Sequence, residues 1–179
     1  MAEPADDPLG KELAEGQEAA FAALYDRFGA SLFRTAAALL NSREDAEDAV
    51  QEVFVGLVRA RHTLARVQNL RAYLFAALRH AVGRRLADRG RARAVPIDQA
   101  EDLSTSEPPQ EGDRAARMEQ AVRELPAEQR ELVALKVDGG LTFAEIAGLL
   151  GISPNTAASR YRYALEKLRA ALEEVPHER

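Results

Sequence analysis

The chain has no cysteine. That excludes a disulfide scaffold, a thiolate zinc site, a thiol nucleophile and a built-in redox switch. Its three histidines, His62, His80 and His177, are far apart in the sequence. No metal site and no cofactor is therefore expected. Aromatic residues make up only 6% of the chain. No apolar run approaches the roughly 20 residues needed to span a bilayer, so no membrane insertion is expected. The first residues, MAEPADDPLG, are acidic and polar and do not look like a secretory signal. The expected location is cytoplasmic. Strand signals are nearly lacking too, with no Val/Ile/Thr alternation bounded by tight-turn dipeptides.

What is present is apolar content and charge. The 179 residues are 46% hydrophobic and 30% charged, enough for a core in one or two compact domains. The net charge of −5 conceals an uneven distribution. Residues 1–57 hold four basic and twelve acidic groups, whereas residues 58–93 hold ten Arg against the single acid Asp88. A strongly basic block in an acidic chain is the footprint of a polyanion-binding surface. A solvated Arg-rich helix face is the plainer alternative.

Helical periodicity runs through most of the chain. Ala20, Phe21, Leu24, Phe28, Leu32, Ala36 and Leu39 recur at steps of three and four within residues 17–40. Asn41 can end that helix, and Ser42 can cap the next, with Asp45 in its first turn. The second helix is expected to reach about Arg61, burying Ala46, Ala49, Val50, Val53, Phe54 and Leu57. A third starts near Leu70, with Leu74, Ala77, Leu78, Ala81, Val82 and Leu86 on its apolar side. Residues 94–113 then carry three prolines, six acids and no base. Proline opposes helix and uncompensated charge opposes burial, so a flexible linker is expected. Helices resume near Arg114, with Pro126 opening one that Asp138-Gly139-Gly140 stops. The expected fold is all-α: a helical domain over residues 15–93, a linker over 94–113 and a second helical domain over 114–174.

The most specific local pattern lies in residues 142–172. Thr142 and Glu145 have capping-box spacing. Ala147 is small where helices must cross closely, and Gly151 can adopt the left-handed turn. Ile146, Leu150 and Ile152 can bury the corner. Ser153-Pro154 restarts a helix with Ala157, Tyr161, Leu165 and Leu168 inward. This is a helix-turn-helix, which presents its second helix to a major groove. Asn155, Thr156, Ser159, Arg160 and Arg162 are its candidate DNA contacts. An ordinary helical hairpin would share the Ala-x-x-x-Gly spacing but not the whole set.

Upstream, Arg71, Tyr73, Arg79, His80 and Arg84 alternate charge with rings, as a single-strand surface requires. Phe75 reads better as core. In the preceding helix, Glu44, Glu47, Asp48, Gln51 and Glu52 form an acidic outer side. A docking face for a basic partner and a merely solvated face both fit that composition. No nucleophile–base pair, metal set or phosphate loop is present, so an enzyme is the poorest reading.

The order DAEDAVQEVF, RAYLFAALRHAVGRRL, acidic linker, then LPAEQRELVALKVDGGLTFAEIAGLLGISPNTAASRYRYALEKLR resembles a bacterial RNA polymerase sigma factor of the extracytoplasmic-function (ECF) type. The resemblance covers about residues 17–172. It implies two helical domains, no enzyme activity, and core RNA polymerase, promoter DNA and an anti-sigma factor as partners. It places Asp48, Gln51, Glu52 and Phe54 in the polymerase-binding helix. It places Asn69, Arg71, Tyr73, Arg79, His80 and Arg84 in the segment that recognises and melts the downstream promoter element. Asn155, Thr156, Ser159, Arg160 and Arg162 fall in the helix that reads the upstream element. The chain departs from the family's usual Trp at Tyr73, Asn at His80, Asp near Arg84 and Lys at Ala158, which bears on promoter sequence rather than function. A stand-alone helix-turn-helix regulator is the alternative; it leaves the Arg block and the acidic helix without roles.

Overall fold

Asn41 and Gly151 show how local chemistry divides this chain into helices. In the computed structural model, which describes residues 8–94 and 114–173, Asn41 takes φ 50° after one helix and Gly151 takes φ 68° after another. Both are left-handed C-caps. Ser42 then accepts a hydrogen bond from the Asp45 amide at 3.2 Å, satisfying a free donor of the next helix. Thr142 and Glu145 complete the expected capping box in both directions. The helices among the described residues are α1 (Pro8–Glu15), α2 (Glu18–Leu40), α3 (Arg43–Arg59), α4 (Arg61–Leu64) and α5 (Leu70–Ala94). After the gap come α6 (Arg114–Glu124), α7 (Ala127–Val137), α8 (Phe143–Leu150) and α9 (Pro154–Glu173). No strand occurs among them. The expected linker lies outside the described residues apart from Ala94, which closes α5.

The long helix α2 is the spine. Its buried stripe of Leu24, Phe28, Leu32, Ala36 and Leu40 packs on Val50, Val53 and Leu57 of α3 and on Leu74, Phe75 and Leu78 of α5. Leu132, Leu135, Leu141, Ile146, Ala147 and Ala157, all from the second half, belong to the same continuous core. A smaller cluster of Ala121, Leu125, Val133, Ala164 and Leu168 fastens α6 to α7 and α9.

Five details differ from the sequence expectation. Helix α1 lies ahead of residue 15, and its Leu13 is fully buried. The helix expected to reach Arg61 ends at Arg59, where Ala60 leads into the short α4. Leu165 is 41% exposed; Ala164 turns inward instead, beside the expected Leu168, because the smaller cluster lies against that side of α9. Leu86 is 47% exposed, four residues beyond Val82, the last buried residue of α5. Pro126 precedes α7 as its N-cap residue.

Because the core is continuous, its loss should not stay local. Leu132→Ala removes a fully buried side chain and should cost about 2–5 kcal/mol. We expect one cooperative urea transition, displaced as a whole, when helicity and a dye on α2 are followed together. Two separated transitions would contradict the shared core.

Candidate nucleic-acid and polymerase interfaces

The helix-turn-helix has the expected geometry. Ala147, 3% exposed, and Ala157, fully buried, let α8 and α9 approach closely. The Ile152 amide donates to the Ala147 carbonyl at 3.1 Å and closes the turn. Ser153 accepts from the Thr156 amide at 3.0 Å, so the first turn of α9 is capped by a side chain. Tyr161 packs edge-on against Phe143 with 5.6 Å between ring centroids, which fixes the rotation of α9 relative to α8. That rotation leaves Asn155 and Arg162 exposed and Thr156, Ser159 and Arg160 half-buried on the outer side of α9. Ser159 donates to the Thr156 carbonyl at 3.0 Å. Arg160 pairs with Glu128 of α7 at 2.9 Å. Tyr163, 53% exposed, carries the Arg162 guanidinium 5.5 Å from its ring centre. Sequence reasoning missed Tyr163. Its signal was an aromatic residue two positions from the inward Tyr161, and so on a different face of α9.

The six downstream candidates fall into two groups. Tyr73, His80 and Arg84 line a groove of about 480 Å³ between α5 and α3, facing Val55, Gly56 and Arg59. Gly56 has open space where a side chain would begin. The groove thus has a ring, an apolar floor and cations at its rim, with the Glu52 carboxylate beside Arg84; a ring and cations are the groups that hold an unpaired base and its phosphate. Arg59 and Val55 were not anticipated, because neither lies in the basic helix itself. Asn69, Arg71 and Arg79 form the second group and contact α7 and α8. Asn69 Nδ2 donates to Glu145 at 2.5 Å, Arg71 Nη1 to the Gly139 carbonyl at 3.0 Å, and Arg79 Nε to Glu131 at 2.9 Å. Arg71 also lies 5.3 Å from the centre of the Phe28 ring.

The acidic helix is more engaged than its composition indicates. Asp48 and Gln51 are exposed, as are Glu44 and Glu47. Glu52 instead binds Arg84 and, at 2.6 Å, Arg85. Asp45 pairs with Arg89. Phe54, expected to be buried, is half-buried: it packs on the edge of the core beside Tyr25, 5.1 Å between centroids. Glu52 of the expected acidic face, with Asp45 beside it, therefore neutralises part of the Arg block within the chain.

Two carboxyls are held below the ordinary value of 4.5. The Arg85 hydrogen bond lowers Glu52 most, with Arg84 adding to it against the effect of burial. For Glu145 burial acts to raise the value, but the Thr142 amide and hydroxyl, then Asn69 and Arg71, outweigh it.

The described residues thus combine a capped helix-turn-helix with a cationic, ring-bearing groove beside an acidic helix. That pairing defines a class: transcription proteins that handle both duplex and separated DNA. Comparison with known proteins makes it specific. The family model Sigma-70 region 2 matches residues 24–92, and Sigma-70, region 4 matches residues 115–168. The ECF RNA polymerase sigma factor SigE of Mycolicibacterium smegmatis is 31% identical over 93% of this chain and 69% of its own length. SigK of Mycobacterium ulcerans is 29% identical over 92% of both chains. Among solved structures, CnrH in complex with the cytosolic domain of CnrY superposes with a TM-score of 0.66 at 25% identity, covering 96% of this chain and 99% of that one. The sigma factor RpoE, bound to the anti-sigma factor NepR from Bartonella quintana, gives 0.69 at 25% identity, covering 87% and 98%. The chain belongs to the ECF-type sigma factors of RNA polymerase. Its function is that of a sigma factor, a subunit that joins core polymerase and directs it to promoter DNA, rather than that of a stand-alone regulator. No described helix is long and apolar enough to cross a membrane.

A carboxyl whose value is depressed in the fold stabilises it fully above the unfolded value, and that contribution fades as pH falls through the lowered one. Glu52→Gln should therefore cost about 0.2–1 kcal/mol at neutral pH, the range for a screened, partly exposed pair. The cost should fade as pH falls through the lowered value and the wild-type carboxylate is itself protonated. Urea titrations of both proteins at stepped pH check this; a penalty that persists in acid would be inconsistent with it.

Proposed function

We propose that the two halves divide the work of promoter recognition. The N-terminal half, residues 15–93 together with α1, binds polymerase and the downstream element. Residues 94–113 connect it to the C-terminal half, residues 114–174, which binds the upstream element. The start of α9 reads base edges of duplex DNA through Asn155, Thr156, Ser159, Arg160 and Arg162. The observation that carries this reading is the capped, outward-facing start of α9, where short polar side chains precede two arginines. Asn and Arg offer paired hydrogen bonds to adenine and guanine edges, and Ser and Thr reach bases or phosphates.

The α3–α5 groove accepts the separated downstream strand. Tyr73 supplies a stacking face, and His80, Arg84 and Arg59 hold phosphates. Asn69, Arg71 and Arg79 extend the same surface. On the far side of α3, Asp48, Gln51 and the half-exposed Phe54 meet a basic surface of core polymerase, with Glu52 at the edge. The protein performs no reaction of its own and works in the cytoplasm. The relatives solved with anti-sigma factors support a partner of that kind for this chain.

Arg160→Ala should cost about 1–3 kcal/mol at the preferred upstream sequence and less at others, if it pairs with a base. Arg79→Ala with Arg84→Ala should lower promoter opening and flatten the salt dependence on every sequence. Transcription from an intact promoter and from one pre-melted over the downstream element separates the two. Full activity of the double variant on the intact duplex, with equal loss for Arg160→Ala on all upstream sequences, would refute the division. Asp48→Lys with Gln51→Lys should weaken capture of core polymerase with little change in stability, because exposed substitutions usually cost within about 0.5 kcal/mol.

A further inference from the structure

Two helices of the N-terminal half are too short to hold themselves. Helix α1 has eight residues and α4 has four, whereas an isolated helix of fewer than about 12 residues is marginal in water. They pack against each other, and α1 also packs on α2. Leu13 of α1 is fully buried, Leu9 packs on the same core, and Leu64 of α4 is 1% exposed. Gly10 lets the two backbones approach, since a Cβ there would stand 3.5 Å from the Leu64 carbonyl oxygen. Gly16 at φ 80° ends α1, with the Gln17 amide on the Glu12 carbonyl at 3.0 Å. The bracing continues into α5. The Val67 amide donates to the Leu64 carbonyl at 3.0 Å. Two residues on, Asn69 caps α5 by accepting from the Ala72 amide at 2.9 Å, and its carbonyl accepts from the Tyr73 amide at 3.1 Å. The Sigma-70 region 2 model begins at residue 24, so α1 lies outside the matched family pattern.

We propose that α1 is a positioning element for promoter opening, with Leu13 as its positioning residue: it holds Leu64 and, through residues 65–69, the capped first turn of α5 that presents Tyr73. This rests on the assignment of Tyr73 to the separated strand and adds a residue that need not touch DNA. The physical basis is mutual support between elements that fail alone. Without α1, α4 is a single turn whose buried leucine has lost one of its walls. Residues 65–69 then approach α5 at no fixed angle, and Asn69 cannot keep its cap on Ala72. A helix without its cap frays at the first turn. Tyr73 lies in that turn, so its ring is in place only for part of the time, and the strand binds in proportion to that fraction. Asp48 and Gln51 lie on α3, outside this series of contacts, so capture of core polymerase does not depend on it.

The test uses the full chain assembled with excess core polymerase. The probe is a duplex promoter selected from a randomised library by the wild-type holoenzyme, and opening is read as permanganate reactivity of unpaired thymines. Leu13→Ala should capture core like the wild type but open the promoter about fivefold less or worse, the loss expected when even one strand contact is misplaced. Leu13→Met keeps the volume and should restore opening. Leu40→Ala removes the same groups from the same core at the other end of α2 and should open nearly as the wild type does. Gly10→Phe leaves Leu13 in place, forces α1 away from the Leu64 carbonyl, and should reproduce the defect without a cavity in the core. Hydrogen exchange on the free chain should be faster at the Val67 and Ala72 amides in Leu13→Ala than in Leu40→Ala. Equal loss of opening in Leu13→Ala and Leu40→Ala would mean general destabilisation and overturns the proposal. Unchanged exchange at both amides overturns the bracing, and faster exchange with undiminished opening overturns its coupling to the strand. Tyr73→Ala is run in parallel. Undiminished opening there would remove the strand assignment itself, while exchange still reports on α1, so the two failures are distinguishable.

Discussion

The structure depends on one helix being buried on more than one side. Helix α2 presents Leu24, Phe28, Leu32 and Leu40 to a core that α3 and α5 complete from one half of the chain. The same core takes in Leu132 and Leu135 of α7 from the other. A short three-helix unit buries little surface by itself. Sharing the core lets each half contribute to the stability of both. It also makes the angle between the halves part of the fold rather than a matter of linker length. The turn at the seam needs glycine for local reasons: a Cβ on Gly139 would meet the Leu135 carbonyl oxygen at 2.5 Å, and Gly140 takes φ 64°.

Electrostatics is arranged around the same seam. The Arg block reads in sequence as ten cations with one acid. In space it is partly neutralised by Glu52 and Asp45 from α3 and by Glu131 from α7. A dense cluster of like charge destabilises a compact chain, and local carboxylates relieve that repulsion. The relief also decides which arginines stay accessible. Arg84, 61% exposed in its side chain, keeps an open side at the α3–α5 groove, whereas Arg85, 20% exposed, points back into the structure. Stability and recognition therefore draw on one set of cations, and weak, screened pairs are the form in which both can coexist.

Several caps were readable from the residues alone, because each depends on neighbours in the chain. Asn41, Ser42, the Thr142–Glu145 box and Gly151 act over three or four positions, and all take the conformations that their chemistry favours. The helix-turn-helix was legible for the same reason. Helix α1 was not, since it is short and places only Leu9 and Leu13, one turn apart, against the core, too few positions to mark a period. On α9 the sequence pattern points Leu165 inward beside Ala157, Tyr161 and Leu168, but Leu165 is exposed. The structure buries Ala164 there, in the cluster with Ala121, Leu125, Val133 and Leu168.

The sequence by itself determined the family, the all-helical class, the separation of acidic and basic segments and the side chains that start the recognition helix. These rest on local spacing and composition, which a linear reading carries completely. Tertiary structure alone decided which of those side chains are available. It brought Tyr73, His80 and Arg84 together with Arg59 and Val55 across two helices. It also turned Asn69, Arg71 and Arg79 toward carboxylates and a carbonyl more than fifty positions away in the chain. The physical reason is that an ion pair forms wherever packing brings opposite charges within a few ångströms, and sequence separation places no limit on that.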